Sequence, residues 1–316
     1  MKLGIDTGFG HTKYCFKDKN GKMVLKKFPS VVAICPDDIQ ADDNVAVMNG
    51  KGYFVSSLAL NSDPRFIKEV TSYQDLELYA PLFLHEIFTK EGLKPEDIEE
   101  VCVGLAPTHK QHAQSFQKAL ESFNVNGIDY KQKVTVIPQG VGAVKALQDF
   151  LSNKDKEPDN YIVADLGFNT LDIVLVFDKE IQKSRLNQAN SFEKKGVILI
   201  AEAMQKHIKA TYNRNITNKE ALKIIIDESY KLRGEVFDLS SFVSDLKKEY
   251  TKDIMEFLES KYSNEIDKLD AFVFVGGGGY FVDKKYTPHT MTFNNSEYYN
   301  AIGNLLTITP KTETKK

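Results

Sequence analysis

The chain has few cysteines, and their number and spacing argue against two kinds of site. Cys15, Cys35 and Cys102 are its three cysteines among 316 residues, and no pair has C-x-x-C spacing. An odd number of widely spaced cysteines argues against a disulfide framework and against a zinc site. We therefore predict buried free thiols in a reducing cytoplasm.

The sequence also lacks an excess of either charge and any long apolar run. It has 41 basic and 44 acidic residues, for a formal net charge of −3, so no basic field predicts direct binding to nucleic acid. No apolar run approaches the roughly 18 residues that suggest a membrane span. A first strand that begins by Lys2 leaves no room for a signal peptide or a membrane anchor. We expect a cytoplasmic protein with no membrane partner.

Two common nucleotide-binding motifs are missing. The sequence contains no Walker G-x-x-x-x-G-K-[ST] and no complete G-x-G-x-x-G, so neither a P-loop nor a Rossmann site is indicated.

The length and apolar content of the chain predict how many lobes it forms. A chain of 316 residues with 42% apolar composition exceeds the size at which one hydrophobic core usually keeps growing, so two lobes are expected.

A pair of acidic hairpins with glycine turns is the main positive feature. In the first, KLGIDTGFGHTKYCF, an apolar strand carries Asp6 to a turn and Lys13 opens the returning strand; the turn is Thr7, Gly8, Phe9 and Gly10. Glycine tolerates the positive φ angles and close approach with which a turn directs backbone N–H groups at a phosphate. The nearby carboxylate is suited to a hydrated Mg²⁺.

The second hairpin, YIVADLGFNTLDIVLV, repeats this arrangement. Its carboxylate, Asp165, lies 159 residues after Asp6, and its turn is Gly167, Phe168, Asn169 and Thr170. Two such loops facing each other would form a clamp on a nucleoside triphosphate.

A run of four glycines follows the apolar strand AFVFV, and consists of Gly276, Gly277, Gly278 and Gly279. Without Cβ atoms, this backbone could approach a purine ring and an α-phosphate closely. The N-terminus of a helix after the run would favour the anion.

Hydrophobic patterning predicts a first half with the order β-β-β-α-β-α-β-α. Its strands are predicted near 2–8, 11–18, 23–29, 99–107 and at KVTVIP, and its helices near 75–90, 109–123 and after Pro138. Residues 30–74 are expected to be less regular. The segment SNKDKEPDN (152–160) is the predicted linker, because it concentrates charge, Pro158 and turn residues.

The second half repeats the opening hairpin. Its strands are predicted at 161–167, 171–178 and 271–276, and its helices near 196–211, 218–230, 239–262 and 296–306. The last helix is expected to return to the first lobe.

Six segments follow one another along the chain: IDTGFGHTK, PQGVGAVKAL, VADLGFNTLDIV, KKGVILIAEAM, FVFVGGGGYFV and NSEYYNAIGNLL. In this order they resemble the nucleotide-site segments of the actin, Hsp70 and sugar-kinase superfamily, and most closely those of ParM/StbA-like bacterial actins. The resemblance implies an α/β, two-lobed actin-like (duplicated RNase H-like) fold with a nucleotide cleft between the lobes. The first lobe would comprise 1–156 and about 296–316, and the second 157–295.

The resemblance also implies residue roles. Asp6 and Asp165 would hold Mg²⁺ through water, Lys13 would reach the β- or γ-phosphate, and Gly196 would border the nucleotide. Gln139 would orient the attacking water, since an amide can accept one hydrogen bond and donate another. ParM-like proteins often have Glu at this place, so we expect a slow, Mg-dependent ATPase, with GTP as an additional possible substrate.

The implied function is a head-to-tail filament that moves plasmid or other DNA through a DNA-binding adaptor protein. Two alternatives stay open: a monomeric phosphotransferase of the sugar- or carboxylic-acid-kinase type, and a nucleotide-binding scaffold with weak hydrolysis. The chain has little sequence beyond the two lobes, which argues against a peptide-binding extension or membrane-binding helices. Subunit contacts are expected in residues 30–74 and 211–240.

Overall fold

A computed structural model describes residues 1–36, 44–152, 158–186 and 190–309. The chain divides into two compact units. The first unit comprises residues 1–155 and 298–316, and the second comprises residues 156–297. Five residues of the predicted linker, 153–157, lie outside the described residues.

The described part of the first unit contains eleven strands. In chain order these are β1 (Lys2–Thr7), β2 (His11–Lys17), β3 (Met23–Pro29), β4 (Val31–Ile34), β5 (Ala46–Met48), β6 (Lys51–Val55), β7 (Ile67–Glu69), β8 (Glu100–Leu105), β9 (Ser122–Val125), β10 (Ile128–Lys131) and β11 (Val134–Pro138). Its described strands form a main sheet ordered β11-β8-β1-β2-β3, a small sheet ordered β5-β6-β4-β7, and the hairpin β9–β10.

The helices of this part are α1 (Ser57–Leu60), α2 (Tyr73–Glu91), α3 (Ala113–Glu121) and α4 (Val141–Ser152). Helix α2 has clear sequence signals at both ends. Ser72 and Asp75 form a capping box at its start, and Gly92 adopts the left-handed conformation at its end. Its buried face packs into the core of the first unit.

The second unit has a similar main sheet. Its strands are β12 (Tyr161–Leu166), β13 (Thr170–Phe177), β14 (Glu180–Ile181), β15 (Ser191–Glu193), β16 (Ser229–Leu232), β17 (Glu235–Asp238), β18 (Ala271–Val275) and β19 (Thr290–Thr292). The order is β14-β13-β12-β18-β19, with β15 paired to β13, while β16 and β17 form a separate hairpin. Its helices are α5 (Ile198–Tyr212), α6 (Asn218–Asp227) and α7 (Ser240–Lys261).

The last helix, α8 (Tyr299–Ile308), belongs to the first unit, where it packs on α4, β1 and β8. The predicted return of this helix is therefore confirmed. A 3-10 turn over Ser296–Tyr298 precedes it.

Several predicted elements are corrected by the structure. Residues 30–74 were expected to be irregular, but their described part contains the small sheet β5-β6-β4-β7. The helix predicted near 109–123 is a 3-10 turn over Pro107–His112, the helix α3 and then strand β9. The helix predicted over 218–230 ends at Asp227, and strand β16 follows.

The three cysteines are buried thiols that take part in no disulfide among the described residues, as predicted. Burial raises the pKa of the Cys15 and Cys102 thiols to about 12, so both stay protonated at neutral pH.

Across the described ranges, every helix is too short or too polar to cross a membrane.

Candidate functional site

The first acidic hairpin places Asp6 directly opposite Lys13. Strands β1 and β2 are antiparallel, and Asp6 pairs in register with Lys13. The Gly8 N–H donates to the His11 carbonyl at 3.2 Å and closes the turn. Asp6 is only 1% exposed, and the Lys13 ammonium lies 3.0 Å from its Oδ2 atom. A buried carboxylate is thereby neutralised within the same hairpin.

Gln139 reaches the same carboxylate from another strand. Strands β1, β8 and β11 are parallel, so their carboxyl ends meet at one edge of the sheet. Gln139 follows β11 directly, and its Nε2 donates to the other carboxylate oxygen of Asp6, Oδ1, at 3.2 Å. The structure therefore brings together Asp6, Lys13 and Gln139.

The rest of the first loop has one unusual polar atom. Thr7 is buried, and its hydroxyl has no hydrogen-bond partner among the described residues. A buried hydroxyl without a partner is uncommon and fits a ligand contact. Phe9 packs against the core of the unit. Gly8 and Gly10, like Gly167 in the second hairpin, do not have the positive φ angle that we expected of these turns.

The second acidic hairpin places a carboxylate where the first has lysine. Strands β12 and β13 are antiparallel, and Asp165 pairs in register with Asp172. Both side chains are buried, with 5% and 4% exposure. The Gly167 N–H donates to the Thr170 carbonyl at 2.9 Å and closes the turn, while the Thr170 hydroxyl donates to Asp172 Oδ2 at 3.4 Å.

Asp172 was missed by the sequence analysis. Its signal is an acidic residue inside the otherwise apolar strand TLDIVLVF, since a buried charge needs a partner or a role.

Gly196 lies against the turn of the second acidic hairpin. The Gly196 N–H donates to the Asn169 carbonyl at 3.4 Å, and the next two amides donate to the carbonyls of Gly167 at 3.1 Å and Phe168 at 2.9 Å. The Phe168 side chain is exposed. The residues predicted in this loop and in the segment after it therefore form one group.

The glycine run joins the same group. Gly276 has a φ of 77°, and a Cβ atom there would overlap the Asp165 carboxylate and the Leu166 carbonyl. Glycine is the only residue that adopts this positive φ readily and has no Cβ atom. A Cβ at Gly278 would overlap the Leu166 side chain, one at Gly279 would lie tightly against the Phe274 carbonyl and the Ser296 hydroxyl at 3.3 Å, and Gly277 has open space around it. Gly277–Phe281 form a 3-10 turn, so the expected α-helix N-terminus after the run is absent.

All predicted site residues thus lie in two groups. The group in the first unit contains Asp6, Thr7, Gly8, Phe9, Gly10, Lys13 and Gln139, and the group in the second contains Asp165, Gly167, Phe168, Asn169, Thr170, Gly196 and Gly276 to Gly279.

Two protein families match the chain, one in each half. Residues 4–142 match the N-terminal domain of actin-like proteins, and residues 163–287 match the C-terminal domain of archaeal MreB-like actin homologues. The chain belongs to the actin-like proteins. No curated protein sequence gives a significant match to it.

Solved structures share the fold of this actin-like protein over nearly its whole length. The archaeal actin homologue Ta0583 matches with a TM-score of 0.74 at 18% identity, covering 97% of this chain and 98% of that one. The 15-stranded ParM filament from Clostridium botulinum matches with a TM-score of 0.69 at 21% identity and the same coverage. Bacillus thuringiensis ParM with ATP matches with a TM-score of 0.64 at 19% identity, covering 96% and 97%. The predicted two-lobed actin-like fold is confirmed.

Proposed function

We propose that this actin-like protein is a slow, Mg-dependent ATPase whose nucleotide drives assembly into a head-to-tail filament. The supporting observation is the contact set around Asp6: Lys13 at 3.0 Å and Gln139 at 3.2 Å, from two different elements, on a carboxylate that is 1% exposed. Such a constellation is costly to bury unless it has a role.

The residues present fit a magnesium nucleotide. Asp6 and Asp165 are carboxylates of the kind that hold hydrated Mg²⁺, and the buried Thr7 hydroxyl has no partner among the described residues. The missing Cβ at Gly276 keeps the space beside the Asp165 carboxylate clear. When bound, Mg²⁺ supplies charge neutralisation on the phosphates. The turn residues of both loops, with Gly196 and the glycine run, would contact the nucleotide.

Gln139 is proposed to orient the attacking water. Its Nε2 already donates to Asp6 Oδ1, so its amide oxygen is the atom available for a water. An amide cannot take up the proton as a carboxylate would, and hydrolysis would rest on orientation and charge stabilisation. This is the physical reason to expect slow turnover.

Self-assembly is supported by exposed apolar side chains in the two regions where subunit contacts are expected. The described part of residues 30–74 exposes Ile34, Leu58, Leu60 and Phe66, and the segment from α6 to β17 exposes Ile226 and Val236. Large contiguous apolar patches on a protein surface mark interaction sites, and we propose that these side chains contribute to such patches. One of the structural relatives is itself a ParM filament.

Sedimentation and electron microscopy test the proposal directly. Filaments should pellet with ATP, and the same assay with GTP, ADP and AMPPNP determines the base preference and the role of hydrolysis. Tight ATP binding without polymer at any salt, crowding or protein concentration would overturn the filament. ATP turnover that requires a small acceptor and yields a phosphorylated product would instead establish the phosphotransferase, which the reported relatives do not favour.

We further propose that the filament acts in the cytoplasm and moves plasmid or other DNA through an adaptor protein, without binding nucleic acid or membrane itself. The near-neutral charge of the chain supports the indirect link to DNA. In a plasmid-retention assay, deletion of the coding sequence from its replicon should raise plasmid loss, and Asp165→Ala should do the same. Unchanged retention in both strains would contradict the cargo role.

A further inference from the structure

Helix α8 carries two buried asparagines on one face. Asn300 and Asn304 are 5% and 1% exposed, and residues four apart lie above one another on a helix. A buried amide is costly unless its polar atoms are hydrogen-bonded. Both bond to the backbone of other elements, and each has a bond to a residue next to a proposed site residue.

Asn300 holds the backbone after Gln139. Its Oδ1 accepts from the Gly140 N–H at 3.0 Å and from the Ala143 N–H at 3.2 Å. The Gly140 carbonyl accepts the first helical bond of α4, from Val144, so the N-cap position of α4 is glycine and the capping oxygen comes from α8. On its other side, the Gln139 N–H donates to the Leu105 carbonyl at 2.8 Å. The peptide groups on both sides of Gln139 are therefore fixed.

Asn304 holds the backbone before Asp6. Its Nδ2 donates to the Ile5 carbonyl at 2.7 Å, which belongs to the peptide group that precedes Asp6. Close packing keeps α8 in place for both bonds. A Cβ atom at Gly303 would overlap the Gly142 backbone of α4, and one at Gly4 would overlap the backbone of α8.

We propose that Asn300 and Asn304 are positioning residues for hydrolysis, which set the placement of Gln139 relative to Asp6. The proposal rests on the proposed function, since it assigns Gln139 to the water and Asp6 to the metal. Because effective catalysis needs near-attack geometry, a displacement of about 1 Å at such a residue can cost about 100-fold in rate. The two amides act through backbone groups, and neither touches the reacting atoms.

The purely structural explanation predicts a different outcome. If Asn300 were only a helix cap, its loss would lower stability without a selective effect on turnover. Gln132 provides the matched control, since it is also a buried amide of the first unit and its Nε2 donates to the Pro95 carbonyl at 3.0 Å. It lies away from the contacts around Asp6.

The experiment compares Asn300→Ala, Asn300→Asp and Gln132→Ala in the full chain. Asn300→Ala should lower turnover by about 10- to 100-fold at unchanged ATP affinity. Asn300→Asp should recover most of that loss, because it keeps the accepting oxygen and places negative charge at a helix N-terminus. Gln132→Ala should keep wild-type turnover. In a Gln139→Ala background, Asn300→Ala should add no further loss of turnover.

A second measurement does not depend on catalysis. The Gln139 side-chain amide resonance, assigned by its disappearance in Gln139→Ala, should move in Asn300→Ala and in Asn304→Leu, and return toward wild type in Asn300→Asp. An unmoved resonance, or additive losses with Gln139→Ala, would overturn the positioning role. If the wild-type chain neither binds nor hydrolyses ATP, the proposed function fails, and the resonance alone still decides whether the asparagines place Gln139.

Discussion

The two acidic hairpins have the same strand pairing but a different charge balance. In each, a carboxylate near the end of the first strand pairs in register with the second strand, and that first strand also pairs in parallel with a third. The residue opposite Asp6 is Lys13, whereas the residue opposite Asp165 is Asp172. The first pair joins a carboxylate to an ammonium group, and the second pair joins two carboxylates.

Because of this difference, we expect the two hairpins to depend on a bound cation to different degrees. Directly opposed like charges on neighbouring strands are destabilising, by up to about 1 kcal/mol when exposed and by more when buried. We accordingly expect the second hairpin to dominate the magnesium requirement of nucleotide binding, with Lys13 moderating the charge of Asp6.

The largest expected effect is in turnover and its dependence on Mg²⁺. Asp165→Asn should lower ATP turnover by about 100- to 1000-fold, the size found when one preorganised electrostatic group is removed. It should also raise the Mg²⁺ concentration needed for half-maximal ATP binding. The measurement is ATP hydrolysis and ATP binding across a magnesium titration. Asp6→Asn, the matched variant of the first hairpin, should shift the magnesium midpoint less; a larger shift there would reverse the comparison.

The next effect is in stability, and the two hairpins should respond differently. Lys13→Met leaves the buried Asp6 without its lysine partner and should cost about 2–4 kcal/mol, below the usual range for fully buried pairs because Lys13 is partly exposed. Asp172→Asn removes one of two opposed carboxylates and should leave stability unchanged or raise it by about 1 kcal/mol. Urea unfolding without Mg²⁺ or nucleotide measures both. Equal losses would mean that the charge balance of the hairpins does not matter.

A third effect concerns the glycine run beside the second hairpin. Gly276→Ala places a methyl group against the Asp165 carboxylate and forces a positive φ on alanine, so it should lower stability by about 2 kcal/mol and weaken ATP binding. Gly21→Ala is the control, because Gly21 has nearly the same positive φ, nothing lies within 4 Å of its Cβ position, and it lies outside both groups of site residues. Thermal unfolding and ATP titration should separate the two variants, and similar behaviour would remove Gly276 from the site.

Both hairpins could be predicted from the sequence because the residues that define each hairpin are neighbours in the chain. An apolar strand, a carboxylate and a turn lie within fifteen residues, and the alternation of the returning strand identifies the pair. The same reasoning grouped Gln139 with Asp6 only through the family resemblance, since their contact joins residues 133 apart.

The wrong predictions of secondary structure also have local causes. Strands β5 and β7 have three residues each, too few to show a period of two, so the small sheet went unrecognised. The turn between β16 and β17 has positive φ at Arg233 and Gly234, the backbone of a tight hairpin turn but without the usual Asn-Gly signal. The helical pattern was therefore extended past Asp227.

The asparagines of α8 show what a single sequence cannot reveal. Asn300 reaches Gly140 across 160 residues, and nothing in NSEYYNAIGNLL indicates which backbone its oxygen will meet. A capping residue is normally sought just before its helix. Here the cap of α4 arrives from the far end of the chain, so only the tertiary structure identifies it.

The smallest predicted effect contrasts one histidine in each unit. Burial lowers the pKa of His85 in the first unit and of His207 in the second. His85 is the more deeply buried, and its Nδ1 lies 2.6 Å from the Tyr130 hydroxyl; burial raises the pKa of Tyr130 to about 12, which keeps that hydroxyl protonated. His207 is only partly buried and stacks on Phe242.

As pH falls through about 6.5, the unfolded chain binds a proton at these positions before the folded chain does, so stability declines toward the lowered folded pKa. His85→Gln, which keeps a polar partner for Tyr130, should flatten this decline between pH 7 and pH 5. His207→Gln should flatten it less. Urea unfolding across that pH range gives the two slopes. A larger change for His207→Gln would mean that the second unit, and not the first, limits stability in acid.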